Sequence, residues 1–212
     1  MLKKAIAVGF VAWLCSGAVL AQVETEIKNG EGLIPAMTMG EGEHVVIALH
    51  GAGGNDRRFF FGDNGGEMGQ TLANAGFRVL AVNWSGQAGG GFSEVAAAIA
   101  HARETGAKKI SLMGHSRGGE LAANYARQQP EATFDTLIQF SSVDDKGLAL
   151  TQTKKLFAYN KYDKWAKWQG DAFDKSAEPK KKIELGGSGH PVKALIGEKA
   201  DLAQEVIGLL KQ

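Results

Sequence analysis

Cysteine is nearly absent: one residue, Cys15, in 212. Other absences are as informative. No Gly-Lys-Ser/Thr follows a glycine-rich turn, so a phosphate-binding P-loop is excluded, and Gly-x-Gly-x-x-Gly does not fit the glycine-rich turns either. There is no His-x-x-x-His, no cysteine pair and no calcium-loop spacing, so no metal and no cofactor is expected. Neither sign of charge dominates. Twenty-four basic residues against 23 acidic ones leave a net charge of +1, which gives nucleic acid or an anionic membrane no electrostatic footing as the main partner. Internal repeats and low-complexity segments are also missing.

The chain begins with the pattern of a secretory signal peptide. Lys3 and Lys4 precede an apolar run from Ile6 to Leu20, and Val19-Leu20-Ala21 offers a cleavage site before Gln22. That run is short for a spanning helix. The expectation is a leader over residues 1–21, one folded domain over residues 22–212, and an exported protein, periplasmic or secreted, with no stable membrane span after cleavage. Cleavage would remove the sole cysteine and two lysines, so the remaining chain has net charge −1. Such a chain has neither disulfides nor a thiol nucleophile and depends on its core alone. Hydrophobic residues make up 44% of the sequence, enough for a sizeable core. Nothing in the sequence specifies an oligomeric state.

Apolar runs and helical patterns alternate along the chain. Strands are expected at His44–Leu49, Phe77–Val82, Lys109–Met113, Phe134–Phe140, Lys155–Tyr159 and Lys182–Leu185. Helices are expected at Met68–Ala75, Glu94–Thr105 with Ser93 as cap, Glu120–Gln129 ending at Pro130, and Asp201–Leu210. Val23–Ile27 and Leu33–Met39 flank Asn29-Gly30, a hairpin signal that adds antiparallel strands at one edge. The fold class is α/β, with a mostly parallel central sheet and helices on both faces.

Within that frame Gly114-His115-Ser116-Arg117-Gly118 fits Gly-x-Ser-x-Gly, with a strand before it and a helix after it. The turn must be tight, so its flanks need residues without bulk. The serine then sits at a helix N-terminus, where the dipole and free N–H groups favour developing negative charge. Gly114 to Gly119 resembles the nucleophile elbow of the α/β-hydrolase family, and the likeness runs from about Glu43 to the C-terminus.

The family order, nucleophile then acid then histidine, gives this resemblance a test. Of five histidines only His190 lies well downstream of Ser116, in the glycine-rich loop Gly186-Gly187-Ser188-Gly189-His190-Pro191 after the last strand. The resemblance implies Ser116 as nucleophile, His190 as base and Asp163 as acid, with Asp144 and Asp145 as rivals one strand earlier. A helix cap is the alternative post for Asp163. The resemblance further implies oxyanion donors at the backbone N–H of Arg117 and of Ala52, the latter in His50-Gly51-Ala52-Gly53-Gly54, which is similar to the family's HGGG-type loop. Trp84, at a strand's C-terminal end, is a candidate substrate contact, and Trp165 and Trp168 could wall a pocket; for all three, core packing is the alternative. Arg57-Arg58-Phe59-Phe60-Phe61 could touch substrate or simply pack. The segment from Val143 to Lys154 is too short for a lid, which predicts an open site.

These readings imply an exported serine hydrolase that cleaves a small-molecule or polymer-borne ester. An acyltransferase, a thioesterase or a peptidase could use the same triad, and an inactive binding protein could retain it.

Overall fold

The computed structural model describes residues 20–212; the leader expected over residues 1–21 lies almost wholly outside them. Eight strands form one sheet: β1 (Val23–Asn29), β2 (Gly32–Met39), β3 (His44–Leu49), β4 (Arg78–Val82), β5 (Lys109–His115), β6 (Thr136–Phe140), β7 (Lys154–Asn160) and β8 (Lys180–Leu185). Their spatial order is β1-β2-β4-β3-β5-β6-β7-β8. The pairs from β4 to β8 are parallel, while β1–β2 and β2–β4 are antiparallel. The Asn29-Gly30 hairpin forms as expected, with Gly30 at φ 61° and Asn29 opposite Gly32.

Alternation of side chains explains why the central strands read as unbroken apolar runs. In β3, Val45, Ile47 and Leu49 enter one core, and Val46 and Ala48 the other. In β4, Leu80 and Val82 oppose Val79 and Ala81 in the same way. Helices α2 (Phe92–Glu104), α3 (Arg117–Ala126) and α4 (Ala166–Lys175) cover the first face. Helices α1 (Met68–Asn74), α5 (Val192–Glu198) and α6 (Leu202–Leu210) cover the second, together with a 3-10 turn at Phe59–Phe61. Truncating Leu49, fully buried here, to Ala would cost about 2–5 kcal/mol.

From β3 the chain crosses through α1 to β4 on one side, then returns through α2 to β5 on the other. The order therefore reverses between β3 and β5, and ligand crevices in open α/β sheets form at such a point, beyond the strands' C-terminal ends.

The main differences from the sequence expectation are two helix starts and one additional helix. Helix α2 begins at Phe92 behind Gly91, and Ser93 lies inside it, with its hydroxyl on the Glu94 carboxylate at 2.7 Å. Helix α3 starts at Arg117, not Glu120, because Ser116 absorbs the whole turn from strand to helix. Helix α5 was not expected; it is only seven residues long and buries just Val192 and Leu195.

Candidate active site

Ser116 is the single residue between β5 and α3, at φ 54° and ψ −119°. That backbone is unfavourable for a residue with a side chain, and holding it costs about 1–3 kcal/mol. The surrounding backbone compensates: Ser116 N–H donates to the Phe140 carbonyl at 3.0 Å, and the Gly119 N–H reaches the Ser116 carbonyl at 3.0 Å. The glycines are there for space. A Cβ on Gly114 would collide with the Gly118 carbonyl, and one on Gly118 with the carbonyls of Leu49 and His50. The elbow is thus pressed against the end of β3, where the second loop begins.

In that loop His50 is buried, and burial pulls its pKa below the ordinary value, so the ring is neutral. Its Nδ1–H donates to the Gly51 carbonyl at 2.8 Å, which leaves Nε2 to accept the Trp84 N–H at 3.4 Å. The Trp84 indole N–H closes the set on the His50 carbonyl at 3.0 Å. A trans peptide points its C=O and N–H in opposite directions. Fixing the Gly51 carbonyl on His50 therefore directs the Ala52 N–H away from His50. Among the described residues, neither the Ala52 N–H nor the Arg117 N–H has a hydrogen-bond partner. Uncommitted donors are a precondition of an oxyanion site. Trp84 is 8% exposed and packed in the core, the alternative to its reading as a substrate contact, and it braces this loop.

The acid and the histidine meet beyond β7 and β8. His190 Nδ1 donates to Asp163 Oδ2 at 2.6 Å; the carboxylate is 2% exposed and the imidazole 30%. The other oxygen, Oδ1, accepts the Trp165 N–H at 3.1 Å and leads the chain into α4. Asp163 therefore serves as both helix-entry acceptor and histidine partner. Asp144 is occupied elsewhere, paired with the Arg127 guanidinium at 2.5 Å and buried enough that its pKa is raised. Asp145 is exposed.

Two contributors were not read from the sequence. Asn160, last in β7, donates through Nδ2 to the Gly189 carbonyl at 2.8 Å and anchors the histidine loop. Its signal was a polar residue closing an apolar strand just before the acid. His115 donates through Nε2 to the His190 carbonyl at 3.1 Å. Among the described residues no hydrogen bond joins Ser116 to His190, and the tie between elbow and histidine loop runs through His115 instead. Catalytic contacts of this kind often tighten only as substrate binds.

The site is open to solvent: Ala52, Gly53 and Gly54 are exposed, and residues 141–153 contain neither helix nor strand. Phe59, Phe60 and Phe61 are core residues, while Arg57 and Arg58 pair with Glu24 and Asp56. Trp165 and Trp168 pack on each other at 4.7 Å, with Trp168 38% exposed. Among the described residues no three His, Cys, Asp or Glu side chains cluster as a metal site.

Residues 46–177 match the alpha/beta hydrolase family. The chain belongs to the α/β-hydrolase family. Its fold is shared with a dienelactone hydrolase from Anabaena variabilis (TM-score 0.73, 17% identity, covering 91% of this chain and 98% of that one). An esterase from Exiguobacterium antarcticum gives a TM-score of 0.70 at 14% identity, over 90% of this chain and all 100% of its own. An esterase from Pyrococcus furiosus gives 0.68 at 12% identity, covering 99% and 98%. Comparison with curated proteins gives no sequence match.

Proposed function

We propose that this α/β-hydrolase is an exported serine esterase that cleaves carboxylic esters through Ser116, His190 and Asp163. The observation that carries the reading is the Asp163–His190 hydrogen bond beyond the C-terminal ends of the parallel strands, the end of the sheet that also bears the strained Ser116 turn. His190 Nε2 takes the Ser116 proton as Oγ attacks the ester carbonyl. The Ala52 and Arg117 N–H groups receive the charge on the carbonyl oxygen. The imidazolium, held by Asp163, returns its proton to the departing alcohol and leaves an acyl-serine. Water, deprotonated by the same imidazole, then releases the acid and restores the serine.

An exposed loop and an uncovered histidine suit small or surface-presented esters better than a long acyl chain in a tunnel. The names of the structural neighbours fit this range: a dienelactone is a cyclic ester that the same attack would open. The leader pattern before Gln22 supports export of the mature protein to the periplasm or beyond the cell.

A Ser116→Ala variant is expected to lose p-nitrophenyl acetate hydrolysis by several orders of magnitude while its melting curve stays close to that of the parent. A fluorophosphonate should label the parent and not the variant. Hydrolysis surviving in the variant would remove Ser116 from the mechanism. A panel of linear esters, lactones, thioesters and amides then ranks the acceptable acyl groups.

A further inference from the structure

His115 stands beside the proposed nucleophile but takes no part in the three-residue relay. Its ring is 4% exposed, lies flat on Phe59 at 4.7 Å with 16° between planes, and is 4.9 Å from the His190 ring. Its Nε2 reaches the backbone carbonyl of His190, a residue 75 positions away. A carbonyl only accepts, so the proton sits on Nε2 and Nδ1 is bare. Nδ1 faces Gly51, where an added Cβ would come within 2.9 Å of it. One side chain thus touches the elbow, the oxyanion loop, the histidine loop and the Phe59 turn.

We propose that His115 is a positioning residue that clamps the His190 main chain and so presents the His190 imidazole between Asp163 and Ser116. The inference rests on His190 as the base. Phenylalanine could supply the stacking and glutamine the donor; histidine supplies both in a space closed off by Gly51. Charge matters equally. The groups facing the ring are His190, Asp163 and His50, and burial together with His190 holds its pKa down at about 3. The ring therefore stays neutral while its neighbour becomes an imidazolium. A cation at that place would oppose the one that the reaction creates.

His115→Phe keeps the stacking and deletes the donor; His115→Gln keeps a donor at similar reach. With His115→Phe, kcat should fall by up to about a hundredfold with KM unchanged, as expected for a misplaced catalytic group. The weakened Asp163 contact stabilises the imidazolium less, so the acid limb of kcat/KM should move to lower pH. The low-field proton resonance of the His190–Asp163 hydrogen bond should shift upfield or broaden. His115→Gln should recover most of each effect. Parent-like kcat and resonance in His115→Phe would overturn the proposal. So would a His115→Gln variant as impaired as His115→Phe, or losses in both that follow the folded fraction measured by melting. The resonance needs no turnover. If the parent hydrolyses no ester, the proposed function fails while the clamp is still decided by the resonance.

Discussion

The loops after β6 and β7 are neighbours at the same edge of the sheet, and each places a carboxylate just past its strand. Asp144 and Asp163 are both nearly sealed from water, each with a 2% exposed side chain. Their partners differ. Arg127, just past the end of the helix that follows the elbow, closes on Asp144, whereas His190 closes on Asp163. A guanidinium is permanently charged and stays a structural partner, while an imidazole can lose and regain its proton. The two loops teach that the available partner, not the position after a strand, decides what a buried carboxylate can do.

Asp163→Asn strikes the comparison hardest. The amide leaves the imidazole without a carboxylate and in the wrong tautomer, so kcat should drop about 10⁴-fold, as measured on the ester panel. Asn160→Ala loosens the histidine loop while leaving the Asp163 carboxylate in place. A loss of up to about a hundredfold in kcat is expected, since a small misplacement suffices. Asp144→Asn should leave turnover as in the parent but lower stability by about 1–3 kcal/mol, read from urea midpoints, because Arg127 loses its charged partner. If Asp144→Asn abolished turnover and Asp163→Asn did not, the assignments would have to be exchanged.

Within a single pH unit near neutrality, the change with pH is the smallest of these effects. Both His50 and His115 titrate below the ordinary histidine value in the folded protein, His115 at about 3. Below the unfolded value, near 6.5, the unfolded chain binds protons that the folded one does not, so stability falls as pH drops. For His115 the slope is at most about 1.4 kcal/mol per pH unit between about pH 6.5 and 3. Urea midpoints followed with pH should show it, and His115→Gln should flatten it.

Most of the architecture was legible because it is written in local patterns. Continuous apolar runs mark strands buried on two faces, Asn29-Gly30 marks the hairpin, and the glycines around Ser116 mark a turn without room for side chains. The start of α3 was misread because elbow geometry, not a polar cap, begins that helix. Trp84 left two readings open because a strand's C-terminal end carries both ligand contacts and the braces that shape them, and its bond to the His50 carbonyl shows the bracing.

What the sequence determined by itself, then, was the α/β sheet, the tight turn at Ser116 and the order along the chain of Ser116, Asp163 and His190. Each depends on residues within a turn or a strand of one another, or on simple order along the chain. Tertiary structure alone decided which carboxylate meets His190, across 27 residues, and what His115 holds, across 75. Hydrogen bonds of 2.6 to 3.1 Å between distant segments depend on how sheet order brings strand ends together, and no local pattern carries that information.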